Sequence, residues 1–429
     1  MSRGAPPPLL LQRNFAALWG GQLISILGDR LTYLALGGLL LEHTHRGADA
    51  RYPVLLAMLN NVMVAPVLLF SPFTGPWLDR MNLRTVLILS DLGRAVLVLM
   101  IPWAYAITGH TGFTFALVFG MFTCNVLFLP AKSAMTPEVV PHEQLLAANS
   151  LLSIAGIAAT VVGALFGGWV VDHWGWSTAL WIDAGTYAVS VLSLAMIQYA
   201  PRAPAATHAG ITWKTYLGEV GEGWAQIRRS APVGLGLLTL GAVWIGGGFM
   251  QVAGNPHIQR AASIPGMERV GLLLAALGLG ALLGTWWINT RGKRVPRPVL
   301  LGVGFLLAGG AIVAFAVTTR FAVFAIAAFL VGTFVAPAFV LCETLLQEGV
   351  DLAHRGRVFS ARDFLMRLAL LISGLAAAWL AAAFGTRLTL VVCAGLVALV
   401  GVLALVWGRR DPQLMRLPGE AAPAAAPRG

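Results

Sequence analysis

The chain has 429 residues, of which 58% are hydrophobic and only 11% charged, with a formal net charge of +11. A soluble domain carries roughly a quarter charged residues, so this composition excludes an ordinary water-soluble protein and makes a lipid bilayer the surrounding solvent. The basic excess does not imply nucleic acid, because the cations sit at the ends of apolar runs rather than in one patch.

Apolar runs of about 20 residues span a membrane as helices. They fall at about 14–42, 52–78, 83–108, 112–136, 143–171, 175–199, 232–257, 269–291, 297–319, 321–347, 355–384 and 386–409. The opening, Met1-Ser2-Arg3-Gly4-Ala5-Pro6-Pro7-Pro8, lacks the short apolar core and cleavage site of a secretory signal, so the first run is expected to stay in place. In that run Gln22, Ser25, Asp29, Thr32 and Tyr33 recur at helical spacing. Asp29 lies near mid-depth, where an ionised carboxylate costs about 2.5–3.5 kcal/mol on insertion scales. It therefore faces a cavity or a partner: a substrate or proton site, or a structural pair with Arg30 or with an arginine of another helix.

Asp91 and Arg94 in the third run, and Asp363 and Arg367 in the eleventh, are spaced to meet along their helices. They are expected as self-neutralising pairs toward the cytoplasmic ends. Gly163/Gly167 and Gly280/Gly284 have the small-x-x-x-small spacing of close helix packing. The seventh run aligns Trp244, Gly248, Gln251 and Asn255 on one face. Cys124, Cys342 and Cys393 fall inside apolar runs without metal-ligand spacing, which reads as buried apolar cysteine.

Between the sixth and seventh runs, 200–231 is the longest polar break. Its Trp213, Tyr216, Leu217, Val220, Trp224 and Ile227 suit a short amphipathic helix on the membrane surface. This linker divides the chain into an N-terminal bundle, 1–199, and a C-terminal bundle, 232–429, whose Pro/Ala-rich tail from about 418 is expected to be disordered. The halves also echo each other. Gly75-Pro76-Trp77-Leu78-Asp79-Arg80-Met81-Asn82-Leu83-Arg84 and Thr285-Trp286-Trp287-Ile288-Asn289-Thr290-Arg291-Gly292-Lys293-Arg294 stand 210 positions apart. A duplicated membrane module with a site between its copies is a transporter architecture. Arg80, Arg84, Lys132, Arg202, Lys214, Lys293, Arg294, Arg355, Arg357, Arg409 and Arg410 fall in the even-numbered breaks or the tails; Arg46, Arg51, Arg260, Arg269, Arg320 and Arg387 fall in the odd ones. That bias predicts an even helix count with both termini in the cytoplasm.

Gly75-x-x-x-Asp79-Arg80, with Arg84 beyond it, resembles the cytoplasmic loop signature of the major facilitator superfamily, with Asn82 where glycine is usual. The second copy keeps Gly292-Lys293-Arg294 and has Asn289 at the acidic position. Gly163-Ala164-Leu165-Phe166-Gly167-Gly168 is similar to the helix-5 element of the superfamily's antiporters, with alanine in place of proline. Gly28-Asp29, Asp91-x-x-Arg94, Pro130-Ala131, Pro137-Glu138 and Arg355-Gly356-Arg357-Val358-Phe359-Ser360 resemble a bacterial branch of macrolide-efflux-like, enterobactin-exporter-like and lysophospholipid-transporter-like proteins.

The resemblance implies an all-α membrane fold of twelve helices in two six-helix bundles. It implies that helices 1, 4, 7 and 10 line a central cavity, adding Asn125 and Thr333 to the residues above. It also brings the helix-11 start at Gly356 close to Asp79, making a gate from Gly75, Asp79, Arg80, Arg84, Asp91, Arg94, Gly292, Lys293, Arg294 and Gly356. The expected function is proton-coupled export of small amphipathic organic molecules by alternating access, by a monomer in the bacterial inner membrane. The alternatives are a lysophospholipid or lipid flippase and a non-transporting receptor or scaffold. Partners are a small-molecule substrate, protons and the bilayer, with no nucleic acid and no cofactor. An enzyme is not expected: the sequence has no His-Glu-x-x-His, nucleophile elbow or phosphate loop.

Overall fold

The computed structural model describes residues 8–44, 51–78, 81–141, 144–198, 212, 214–215, 217–218, 221, 231–261, 266–291, 294–349 and 352–410. Its elements follow the apolar runs. A 3-10 turn, Leu9–Leu11, leads into α1 (Arg13–His43), then α2 (Tyr52–Leu78), α3 (Leu83–Thr108), α4 (Thr111–Val139), α5 (Leu145–Trp174) and α6 (Trp176–Ala195). After the linker come α7 (Ala231–Phe249), a π turn (Met250–Gly254) and α8 (Asn255–Ala261), which together make one span. The rest is α9 (Met267–Thr290), α10 (Arg297–Val317), α11 (Phe321–Gly349) and α12 (Leu352–Arg410).

Eleven described helices are long and apolar enough to cross a membrane. The last of them turns at Gly385, whose φ of 82° and ψ of 163° break the helix, so α12 makes two passes and the total is twelve. A positive φ of that kind is one that glycine adopts without a Cβ clash. Large apolar side chains remain outside, among them Trp103, Ile107, Ile154, Leu192 and Trp379, each more than 60% exposed. In water such a surface would aggregate; against lipid it is the required one.

Local signals set several ends. Asn82 caps α3, its side-chain oxygen accepting from the Arg84 and Thr85 amides, with the Arg84 bond at 3.0 Å. The departure from glycine in the loop signature therefore places a favourable capping residue. Arg84 then donates to the carbonyls of Leu194 and Ala195 at the α6 C-terminus, where a cation complements the helix dipole.

The chain forms two compact units. The first is Met1–Tyr216 with Gly254–Gly278; the second is Leu217–Ala253 with Leu279–Gly429. In the first, α1 packs on α5 and α6, α3 packs on α4 and α6, and α2 packs on α4. One core runs through Leu34, Leu36, Leu39, Tyr52, Val98, Val118, Leu180 and Tyr187. Glycines make the closest approaches. A Cβ on Gly163 would lie 2.9 Å from the Leu27 carbonyl, and one on Gly167 3.2 Å from the Leu31 Cα, both on α1. A Cβ on Gly168 would lie 2.6 Å from the Met267 carbonyl on the other side of α5. In the second unit α12 packs on α10 and α7, and α11 packs on α10 and α7. There Gly280 and Gly284 of α9 press against the backbone carbonyls of Phe329 and Thr333 of α11. The amphipathic stretch of the linker falls almost wholly outside the described residues.

Candidate substrate and proton site

The polar stripe of α1 has two faces in space. Gly21 and Gly28 lie against α6: a Cβ on Gly21 would stand 3.0 Å from Ser193 Cβ, and one on Gly28 would overlap Asp183 and Thr186. Thr32, one turn on, donates its hydroxyl to Asp183. Ser25 shares this register and is buried. The next face over carries Asp29, with 40% of its side-chain surface open, and Tyr33.

Asp29 does find an arginine, but from α3. Its Oδ1 lies 3.6 Å from Arg94 Nη1 and accepts from the Tyr187 hydroxyl at 2.5 Å. Arg94 is 2% exposed and also pairs with Asp91, which accepts from Ser190 of α6 at 2.6 Å. The guanidinium lies over two rings, 4.3 Å from the Phe128 centroid and 4.5 Å from that of Tyr187, a placement that a planar cation favours. The Asp91–Arg94 pair is thus no isolated neutral unit. It is the inner wall of a site that also includes Asp29.

Asp183 completes the cluster from α6. It is fully buried, and the Thr186 hydroxyl lies 2.9 Å from its Oδ1. Three carboxyls and one guanidinium from α1, α3 and α6 are therefore gathered here, Asp29 and Asp91 on Arg94 and Asp183 on the hydroxyls of Thr32 and Thr186. Beside them opens a cavity of about 200 Å³. Asp29, Arg30, Arg94, Thr32, Asn125 and the two tyrosines Tyr33 and Tyr187 form its polar wall, and Met63, Met121 and Phe122 its apolar wall. Among the described residues no group of His, Cys, Asp and Glu is arranged to hold a metal ion.

The structure brings Asp29, Thr32, Tyr33 and Asn125 together at this cavity. Gln22 is buried, with its amide nitrogen lacking a partner, and does not line the cavity. Asn255 also belongs to the first unit, at the start of α8, where it accepts from Gln259 at 3.1 Å. Trp244, Gln251 and Thr333 belong to the second unit; Gln251 sits in the π turn, and the Thr333 hydroxyl is satisfied by the Phe329 carbonyl of its own helix. Arg294 is exposed. Gly75 and Gly356 lie in helical backbone, while Asp79, Arg80, Gly292 and Lys293 fall outside the described residues.

Sequence reasoning missed Asp183, Thr186, Tyr187 and Ser190. Their spacing of three, four and seven makes a polar stripe on the sixth run as regular as the one on the first. It also missed Asp172 at the end of α5. That carboxylate accepts from the Met267 amide at 2.6 Å and the Glu268 amide at 2.8 Å, capping the α9 N-terminus. Gln259 ties the same turn by a reciprocal pair of 2.8 Å bonds to Gly266.

The profile of the Major Facilitator Superfamily matches residues 18–302 and 256–428. The chain belongs to the major facilitator superfamily. Its members are transporters and not enzymes, and this chain is a multi-pass membrane protein of that kind. It is similar to YfiS, an MFS-type transporter of Bacillus subtilis (strain 168), at 26% identity over 92% of this chain and 93% of that one. It is similar to the multidrug efflux pump Tap of Mycolicibacterium fortuitum at 24% identity over 93% and 95%. In fold it resembles the crystal structure of a bacterial homologue of the human lysosomal transporter Spinster, with a TM-score of 0.68 and 15% identity over 97% of this chain and all of that one.

Proposed function

We propose that this superfamily member is a proton-coupled exporter of small amphipathic organic molecules, working by alternating access in a bacterial inner membrane as a monomer with both termini in the cytoplasm. The observation that carries the reading is the cavity of the first unit. Its walls join a charged network, Asp29 and Arg94, to methionine and aromatic surface. Such a lining accepts a molecule with an apolar body and one polar or charged end, since few placed polar groups orient a ligand that apolar walls desolvate. Methionine adapts to varied shapes, and an intramembrane acid is a candidate ion carrier. The similarity to the efflux pump Tap supports export, and the basic residues of the even-numbered breaks support the orientation.

In this reading Asp79 closes the cytoplasmic side against the helix start at Gly356, together with Arg80, Gly292, Lys293 and Arg294. The α5 element Gly163, Gly167 and Gly168 packs the cavity helix on one side and α9 on the other.

Purified protein in proteoliposomes, loaded with ethidium and subjected to an imposed pH gradient, tests the reading. Gradient-dependent ethidium movement is expected, collapsing with a protonophore. Movement of a labelled lysophospholipid between leaflets, without any effect of the gradient on ethidium, would replace export with lipid flipping. No movement of either would sink transport of these classes.

A further inference from the structure

Asp183 is as fully enclosed as Asp91 but lacks the cation that Asp91 has in Arg94. It lies about 10 Å along α6 from Trp176 at 1.5 Å per residue. Its side chain is fully buried, and among the described residues no lysine, arginine or histidine forms an ion pair with it. The one guanidinium of the network is already shared by Asp91 and Asp29. A carboxylate held inside a membrane protein without a cation is costly, and a bound proton removes that cost.

The partners of Asp183 serve both protonation states. Thr32 donates to its Oδ2 from α1. The Thr186 hydroxyl has one hydrogen and two acceptors, the Asp183 carbonyl at 2.8 Å and Oδ1 at 2.9 Å, so it can turn to the backbone when the carboxyl gains a hydrogen. Thr32 also lines the cavity. Thr32 is thus the residue that touches both Asp183, through its hydroxyl, and the cavity, which is the placement a one-hydroxyl relay needs. Gly28 leaves the space for α6 to come this close.

The charged and titratable groups facing Asp183 are Asp29 of α1 and Arg94 of α3, with Tyr187 on α6 itself. Asp91 of α3 pairs with the same Arg94, and Lys132 of α4 is within range of the charges of Asp29, Asp91 and Arg94. On α5, Asp172 is engaged with α9, and the His173 ring lies 2.9 Å from the Trp169 carbonyl of its own helix.

We infer that Asp183 is the proton-binding residue of this transporter, loaded from the cavity through the Thr32 hydroxyl, while Asp29 serves as the partner of Arg94 and Tyr187. In loading, cavity water gives a proton to Thr32 Oγ1 as Thr32 passes its own hydrogen to Asp183 Oδ2, leaving hydroxide in the cavity and a neutral carboxyl on α6; unloading reverses both transfers. This deepens the proposed proton coupling and rests on it only for the consequence, since the protonation itself is measurable without any substrate.

Infrared difference spectra of protein in lipid nanodiscs, taken between mildly acidic and alkaline buffer and repeated in deuterated buffer, test it. The wild type is expected to show a protonated-carboxyl stretch that shifts in deuterated buffer. Asp183→Asn should lose it and Asp29→Asn should keep it. Persistence in Asp183→Asn, or no such band in the wild type, overturns the inference. Should Asp183→Asn fail to fold, Thr32→Val keeps the acid and the side-chain size. It should keep the band and slow its hydrogen–deuterium exchange, and exchange at the wild-type rate or loss of the band overturns the assignment. In ethidium-loaded proteoliposomes Asp183→Asn should lose gradient-driven movement and keep exchange without a gradient. A wild type that shows the band but ignores the gradient removes the coupling reading and leaves the proton site. Gradient-driven movement that survives in Asp183→Asn removes Asp183 and leaves the coupling.

Discussion

Arg94→Met gives the sharpest test of the charged network, because it removes the one guanidinium that Asp91 and Asp29 share while keeping an unbranched side chain of comparable length. Arg94 and Asp91 are 2% and 0% exposed. Breaking a buried pair by removing one partner costs about 3–5 kcal/mol, because the remaining charge is stranded. The loss of contact with the Phe128 and Tyr187 rings acts in the same direction, by about 0.5–2 kcal/mol. For a unit of this size 1 kcal/mol shifts the melting temperature by about 2–4 °C, so Arg94→Met should melt about 6–20 °C below the wild type from the pair alone. Arg94→Lys should fall between, since an ammonium keeps the charge but lacks the flat fork that lies over the rings. Arg94→Met combined with Asp91→Leu should recover most of the loss, because an apolar pair in place of a buried ion pair is near neutral. The recovery should stop short of complete, because Asp29 still lacks its 3.6 Å partner. Melting followed by tryptophan fluorescence in one detergent, with all four proteins side by side, reads the differences. Arg94→Met within about 2 °C of the wild type, or a double variant less stable than Arg94→Met, would refute the stranded-charge argument.

Gly28→Ala places a methyl where Asp183 and Thr186 now sit, so overpacking should lower stability by about 1–3 kcal/mol, read as a fall in melting temperature. Asp172→Ala removes the cap of α9 at a cost of about 0.5–2 kcal/mol; the Met267 and Glu268 amides should then exchange faster with deuterium, and unchanged protection would show that the cap carries no weight. Asp79→Asn should cut ethidium transport strongly while leaving expression and dye binding intact; near-normal transport would count against its role as a gate.

The fold was legible because a bilayer imposes a strong code. Every spanning helix is an apolar run, so the predicted run at 83–108 and the observed α3, Leu83–Thr108, coincide. The misses at the ends have local causes. The sixth run stays apolar to 199, but α6 stops at Ala195, where Arg84 engages its last carbonyls. The seventh run gives no sign of the π turn at Met250–Gly254, since one extra residue in a turn leaves composition unchanged. The site was half legible. An acid in mid-helix announces itself by its cost, and Asp29 is at the cavity. What a single sequence does not carry is which arginine answers it. Arg30 is adjacent in the chain, but neighbouring residues on a helix do not face each other, and Arg94 arrives only through the packing of α3 beside α6. Asp183 stands on the sixth helix, outside the set of helices 1, 4, 7 and 10 that the family resemblance implies line the cavity.

The α5 element shows how one motif serves two packings. Gly163 and Gly167 hold the backbone of α1 at Leu27 and Leu31, so they fix the wall that carries Asp29. Gly168 and Ala164 face the other way, against Met267 and Gly271 of α9, and Asp172 caps that helix one turn further along. The unit boundaries fall inside two spans, at Ala253/Gly254 in the π turn and at Gly278/Leu279 within α9. The segment between them belongs to the first unit through the α5 contacts just named. Its hold therefore joins a glycine seam and a carboxylate cap, both short-range and both lost together once the helices part by more than a hydrogen-bond length, to the apolar packing of Met267 and Val270 in the first unit's core. A contact of that kind is suited to two discrete positions rather than to gradual sliding, because packed surfaces and capped helix ends are either seated or not.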